Sequence, residues 1–306
     1  MSVVSMELIQ KLRTATSAGM MDCKKALTET NGDFDAAVDW LRKKGIASAA
    51  KKADRVAAEG LVAAVASGTK GLMLEVNCET DFVAKNADFQ TTVTAIAEAA
   101  LAAGQTDVEA VKALSVNGTT AQDALTELIA KIGENMSIRR AASLEVSNGV
   151  VATYLHNAVT DKTGRIGVMV ALESAAPADK LNALGRQLAM HIAATRPEAL
   201  NREAVDPVLV EREKSVLVDQ ARASGKPENI IEKMIEGRIN KFYEEVVFLE
   251  QAFVMNPDLK VAEHVEATAK ELGTAVTVTA FIRFGLGEGI EKQSGDFAAE
   301  VAAMAR

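Results

Sequence analysis

Two apolar runs, Leu61-Val62-Ala63-Ala64-Val65 and Leu72-Met73-Leu74-Glu75-Val76, are parted by a short stretch that includes Ser67-Gly68-Thr69-Lys70. Runs of this length around a glycine-containing turn predict a β-hairpin, which commits this part of the chain to an antiparallel sheet. The second run gives way to Asn77-Cys78-Glu79-Thr80, and Asn and Thr favour turns and helix caps. Asp81-Phe82 is therefore expected on a connection, at or just before the first turn of a short helix. An aromatic held on a rigid corner either anchors a partner, since little side-chain entropy is lost on docking, or closes its own core. The residues alone leave both readings open.

Upstream, residues 5–45 read as three short helices. Met6, Ile9 and Leu12 recur at helical spacing as far as Ser17-Ala18-Gly19, where Gly19 is expected to close the first helix in the left-handed conformation. Asp22 is expected to open the second helix and Asn31-Gly32 to stop it. Asp33 then caps a third that carries Phe34, Ala37, Val38 and Leu41 on one side, with Trp40 adjacent. Three short helices with a Gly-Met loop and a late Trp-Leu pair resemble the ubiquitin-associated fold. Met20 and Met21 of that loop are candidates for contact with another protein, because Met adapts to a partner surface, or for filling the unit's own core. Residues 46–57 read as a polar-faced helix linking this unit to the hairpin.

Beyond the corner, helical stretches are expected at 87–103, 107–114 and 121–132, and strands at 138–146, 150–155 and 166–172. Gly71-Leu72-Met73-Leu74-Glu75 finds a faint echo in Gly167-Val168-Met169-Val170-Ala171-Leu172-Glu173, as though one α/β unit occurred twice. Leu181, Leu184, Leu188 and Ile192 then repeat at helical spacing until Pro197 forbids continuation. A helix over 207–223 meets Ser224-Gly225-Lys226-Pro227, and Ile230, Ile231, Met234, Ile235, Ile239 and Phe242 give an amphipathic return helix. Helices joined by such a corner form an antiparallel hairpin, either a dimerisation arm or an insertion packed on its own domain. A helix over 258–271, a strand over 275–284, a flexible Gly285 to Gly289 stretch and a terminal helix over 297–304 capped by Asp296 complete the expectation.

Charge and chemistry narrow the function. A net charge of −8 argues against a chain whose task is to coat nucleic acid, and Arg42-Lys43-Lys44 and Lys51-Lys52 are short enough to be solvated helix faces. Two cysteines, Cys23 and Cys78, are too few for a disulfide framework and point to a reducing cytoplasm. No apolar stretch approaches a membrane span, and the start of the chain lacks the pattern of a targeting peptide. Gly285-Leu286-Gly287-Glu288-Gly289 lacks the third spaced glycine of a dinucleotide fingerprint, and no phosphate loop occurs. Cys78 has no His near it in sequence, and Glu79 with Asp81 makes a poor metal site. No cofactor, metal or catalytic residue is expected.

Four motifs carry a resemblance: Gly19-Met20-Met21-Asp22-Cys23-Lys24-Lys25-Ala26-Leu27, Thr80-Asp81-Phe82-Val83, Lys131-Ile132-Gly133-Glu134-Asn135 and Phe281-Ile282-Arg283-Phe284. In this order and spacing the chain resembles the bacterial translation elongation factor Ts family over nearly its whole length. The resemblance implies a guanine-nucleotide exchange factor for elongation factor Tu, not an enzyme, that acts in the cytoplasm without direct nucleic-acid or membrane contact. It implies that Phe82 enters a pocket of the GTPase with Thr80, Asp81 and Val83 around it, disturbing the partner's Mg²⁺ and phosphate site. It further implies contacts from Arg13, Met20, Met21, Ile132 and Gly133 to the nucleotide domain, and from His156 to a more distant domain. Two departures are Thr16-Ser17-Ala18-Gly19 where the family commonly shows Thr-Gly-Ala-Gly, and a longer segment after His156 than in some relatives.

The expected fold is α+β. A ubiquitin-associated-like helical unit and linker (1–55) is followed by a core N-subdomain (56–142) and a related C-subdomain in two parts (143–179 and 229–284). A helical hairpin insertion (180–228) offers a homodimer or two-plus-two contact, and a C-terminal module covers 285–306. The alternative function is a non-catalytic adaptor that binds proteins through the ubiquitin-associated-like unit.

Overall fold

The computed structural model describes residues 4–16, 18–223 and 228–291. The expected terminal helix over 297–304, its cap Asp296, and the corner Ser224-Gly225-Lys226-Pro227 lie outside the described residues. Among them no helix is long and apolar enough to cross a membrane.

Three helices open the chain: α1 (Met6–Thr16), α2 (Met20–Glu29) and α3 (Phe34–Ala50). Ile9, Leu12, Cys23, Ala26, Leu27 and Ala37 form their shared core. Asp33 caps α3 as expected, its side chain accepting from the Ala36 N–H at 2.9 Å, and Asn31 and Gly32 take positive φ where α2 stops. Gly19 departs from expectation. Its φ of −62° and ψ of 146° are extended, and it serves as the N-cap of α2 rather than the close of α1, so Asp22 lies in the first helical turn. Glycine is acceptable at either position, so composition could not decide between them. The separate linker helix expected over 46–57 is likewise absent. Helix α3 itself continues to Ala50, and the chain then runs through turns to the strand that begins at Glu59.

The hairpin forms as β1 (Glu59–Ser67) and β2 (Lys70–Cys78), in antiparallel register from Glu59 opposite Cys78 to Ser67 opposite Lys70. There follow α4 (Asp81–Ala84), α5 (Ala87–Ala103), α6 (Val108–Ala113), the small ribbon β3 (Ser115–Val116) and β4 (Thr119–Thr120), and α7 (Ala121–Ile132). Then come β5 (Met136–Glu145), β6 (Gly149–Ala158), β7 (Thr163–Glu173), α8 (Ala178–Thr195), α9 (Pro207–Ala223) and α10 (Glu228–Val246). The ribbon β8 (Ala252–Phe253) and β9 (Asn256–Lys260), α11 (Val261–Leu272) and β10 (Thr277–Gly285) finish the described chain.

The main sheet has the order β10-β7-β1-β2-β5, with β6 paired to the other side of β7. Its two three-stranded parts, β1-β2-β5 and β6-β7-β10, pair along one short stretch, where Val62 and Ala63 lie opposite Gly164 and Thr163. Side-chain alternation assigns each strand's faces. Leu61, Ala63, Leu72, Leu74 and Val76 face a core shared with α5 and α7. Val168, Val170 and Leu172 face a second core with α8 and α11. Val62, Ala64, Met73, Val151, Met169 and Phe284 meet between the two parts in a third.

The sequence echo has a reciprocal counterpart here. A Cβ on Gly71 would lie 3.1 Å from Met169 Sδ, and one on Gly167 would lie 2.5 Å from Met73 Sδ. Each glycine thus makes room for the methionine two residues along the other strand. A buried carboxylate adds a second tie. Glu75, fully buried, accepts from Arg139 at 2.9 Å, Arg140 at 2.6 Å, Asn77 at 3.1 Å and the Gly287 N–H at 2.8 Å. The Gly285 to Gly289 stretch, expected to be flexible, is pinned by these bonds and by Arg140 to the Gly285 carbonyl at 3.0 Å.

The expected division at 180 and 228 does not follow the packing. Leu181, Leu184, Leu188 and Ile192 bury α8 in the core of the second sheet part. The antiparallel pair is α9 with α10, as Leu209 and Val210 meet Phe242, Tyr243 and Val246, and Arg238 donates to Gln220 at 2.9 Å.

Candidate partner-binding site

The strand β2 ends at Cys78, and Glu79 and Thr80 turn the chain into α4, a single helical turn. Helix α5 begins two residues after α4 because Asn86 caps it, accepting from the Asp88 and Phe89 N–H groups at 2.9 and 3.2 Å. One turn wedged between a strand and a long helix has its rotational phase set by what it buries. Val83 and Ala84 enter the first core at 3 % and 6 % exposure, which turns Phe82 outward at 77 %. Phe82 therefore does not close its own core. Val83, expected against the partner, does so instead.

Asp81 pairs with Lys85 at 2.6 Å, one turn along. The hydrogen bond from Lys85 holds the Asp81 carboxyl below its usual range. The same ammonium lies 5.7 Å from the centroid of the Phe82 ring, within cation–π reach. Lys85 thus touches both neighbours, a role the sequence reading did not assign although the i, i+4 spacing on a helix was its signal.

Thr80 is the N-cap of α4, yet its hydroxyl makes no bond to that helix. It donates to Glu134 Oε1 at 2.7 Å, while the Thr80 N–H donates to Glu134 Oε2 at 2.9 Å. Glu134 follows Gly133, whose φ of +93° ends α7 and whose N–H reaches the Ile129 carbonyl at 2.9 Å. Ile132 is partly buried against the first core. Asn135 extends the node: its N–H donates to Glu79 at 2.6 Å, and its side chain donates to the carbonyls of Ala53 and Arg55 at 3.2 and 2.8 Å. Neither Glu134 nor Asn135 carried a role in the sequence reading, because their partners are remote in the chain.

The structure thus brings Thr80, Asp81, Phe82, Ile132 and Gly133 to one node. The N-terminal unit is fastened beside it, with Arg42 pairing Asp123 of α7 at 3.2 Å and Gly45 of α3 closing on Ala130. Met20 and Met21 are exposed at 48 % and 75 %, outside that unit's core; Arg13 is exposed at the end of α1. His156 stands elsewhere, exposed on β6 opposite Ile166, with Nδ1 3.2 Å from the Tyr154 hydroxyl.

The Cys78 thiol is buried and pushed up to about 12, chiefly by burial, so it is protonated at neutral pH and no nucleophile. No group of His, Cys, Asp and Glu able to hold a metal occurs among the described residues. A cleft of about 800 Å³ sits at the far end of β1, around Ala64, Lys70, Lys162 and Arg186.

These features define an α+β protein that offers a projecting aromatic corner rather than an enclosed reactive group. The family described as Elongation factor TS matches residues 79–288. Over full length the chain is 58 % identical to Elongation factor Ts of Rhodospirillum centenum and 56 % identical to that of Parvibaculum lavamentivorans, with all of each chain covered. It is 58 % identical to Elongation factor Ts of Brucella anthropi over 99 % of both chains. The chain belongs to the elongation factor Ts family, and its role is in the elongation stage of protein biosynthesis.

Proposed function

We propose that the chain is a guanine-nucleotide exchange factor that binds elongation factor Tu with GDP and promotes GDP release. The observation that carries this reading is Phe82, 77 % exposed between the buried Val83 and a Thr80 fixed by two hydrogen bonds. A GTPase holds its nucleotide through backbone N–H groups, a Lys and Mg²⁺ acting together, so displacing one element weakens the rest. An aromatic driven between the partner's helices would do this without making or breaking a covalent bond. By linkage, the factor weakens nucleotide binding as much as nucleotide weakens its own.

On this reading Asp81 docks beside Phe82, while Val83 supports α4 from within. Arg13, Met20, Met21, Ile132 and Gly133 bear on the nucleotide domain, and His156 on a more distant one. The first three helices act as a ubiquitin-associated-like unit, the two sheet parts as related subdomains, and α9 with α10 as the arm of a homodimer or two-plus-two complex. The setting is cytoplasmic. The adaptor reading draws on Met20 and Met21, exposed on a unit with its own core.

The test is release of labelled GDP from purified elongation factor Tu. Phe82→Ala removes no buried contact, so its thermal unfolding should match wild type while stimulated release slows by about thirtyfold, the cost of a hot-spot residue. Wild-type release from that variant sinks the wedge. Deleting residues 1–55 should leave residual stimulation, whereas an adaptor would lose all binding.

A further inference from the structure

We infer that Glu134 is the positioning residue for Phe82, acting through Thr80; this rests on the exchange-factor reading above. The start of a helix leaves backbone donors without partners, and a frequent remedy is reciprocal: the capping Thr bonds inward, and a Glu three residues on bonds back to the cap's N–H. In α4 that third residue is Val83, which the core requires. The carboxylate is supplied from outside the helix instead. Glu134 takes the Thr80 N–H on one oxygen and the Thr80 hydroxyl on the other, at 2.9 and 2.7 Å. Bonds to an ionised acceptor are about twice as strong as neutral ones, and two of them fix direction as well as distance.

The third polar atom of Thr80 is also occupied, since its carbonyl accepts from Cys78 Sγ at 3.1 Å. With the N–H, hydroxyl and carbonyl all held, and Val83 and Ala84 buried, α4 has neither a free axis nor a free phase. Glu134 is itself fixed on both sides. Gly133 ends α7 in the left-handed conformation at φ +93°, and Asn135 is tied to Glu79, Ala53 and Arg55. Ile132-Gly133 and Phe82 are therefore registered against one another through the Glu134 carboxylate, with the bond from the Asn135 N–H to Glu79 as a second tie between the same segments.

The experiment is a double-mutant cycle on stimulated GDP release, using full-length Glu134→Ala, Phe82→Ala and the pair, with thermal unfolding followed on each. Positioning predicts that Glu134→Ala slows release by about tenfold, within the coupling range for linked residues, yet adds nothing once Phe82 is Ala. Glu134→Gln keeps a carbonyl acceptor and should restore most of the rate. Should Glu134→Ala fail to fold, the same cycle run with Glu134→Gln carries the test at smaller amplitude. A Glu134 effect that persists undiminished in the Phe82→Ala background means direct partner contact and overturns the proposal. So does a rate loss that tracks lowered stability alone, or no loss at all. If wild type stimulates no release, or Phe82→Ala releases normally, the exchange reading fails instead, and the two failures are told apart.

Discussion

Phe82 is exposed but not loose, and Lys85 is the reason at the scale of single side chains. Its ammonium bonds Asp81 at 2.6 Å and stands 5.7 Å from the ring centroid. A ring held before docking loses less entropy on entering a pocket. Lys85→Ala should therefore slow stimulated GDP release by about two- to fivefold, the range of an exposed cation–π contact, while leaving thermal unfolding unchanged. Because the pair is solvated, salt screens it. The gap between Lys85→Ala and wild type should narrow as ionic strength rises; a gap that stays constant would assign Lys85 a different role. That Asp81 and Lys85 pair was readable from their spacing. That Val83 faces inward was not, since a four-residue helix offers no periodicity to read.

Among elements, the end of α7 matters most. A Cβ on Gly133 would meet nothing within 4 Å, so its space is open and only its φ of +93° demands glycine. Gly133→Ala should cost about 1–2 kcal/mol by thermal or denaturant unfolding, the price of the left-handed backbone, and should slow GDP release by shifting Glu134. Gly133→Asn, better tolerated in that conformation, should cost less; equal losses would implicate sterics instead. The elements themselves were largely legible. The β1–β2 hairpin, α5 and α7 appear where local pattern put them, because their signals lie within the span of each element. Gly19 was not, since an extended N-cap and a left-handed close both suit glycine. The task of Glu134 is not legible in its own stretch, because its partner Thr80 is 54 residues away in the chain.

At the scale of the molecule, Glu75 ties the hairpin to the chain's last described strand and the turn after it. Burial pushes its carboxyl upward, but bonds from the Gly287 N–H, Arg139, Arg140 and Asn77 outweigh this and hold it below its ordinary 4.5. A depressed carboxylate contributes stability above about pH 4.5, which is lost as pH falls through the folded value. Acid unfolding should therefore steepen below that point. Glu75→Gln, which strips two arginines of their charge partner, should lower stability at neutral pH by about 3 kcal/mol and flatten that acid limb. An unchanged limb would assign it to other carboxylates. Nothing in the sequence announced this node, for its members come from three distant stretches.

The exchanged fit of Gly71 with Met169 and Gly167 with Met73 has a mechanical consequence. Each strand carries both the notch and the tooth, so sliding one sheet part along the other drives a thioether into backbone at two places at once. On the exchange-factor reading proposed above, the protein would act as a caliper whose jaws, the Phe82 corner and the β6 end bearing His156, are set at a fixed gauge. A partner that grips both must yield to that gauge, and any deformation at the shared surface falls on the partner.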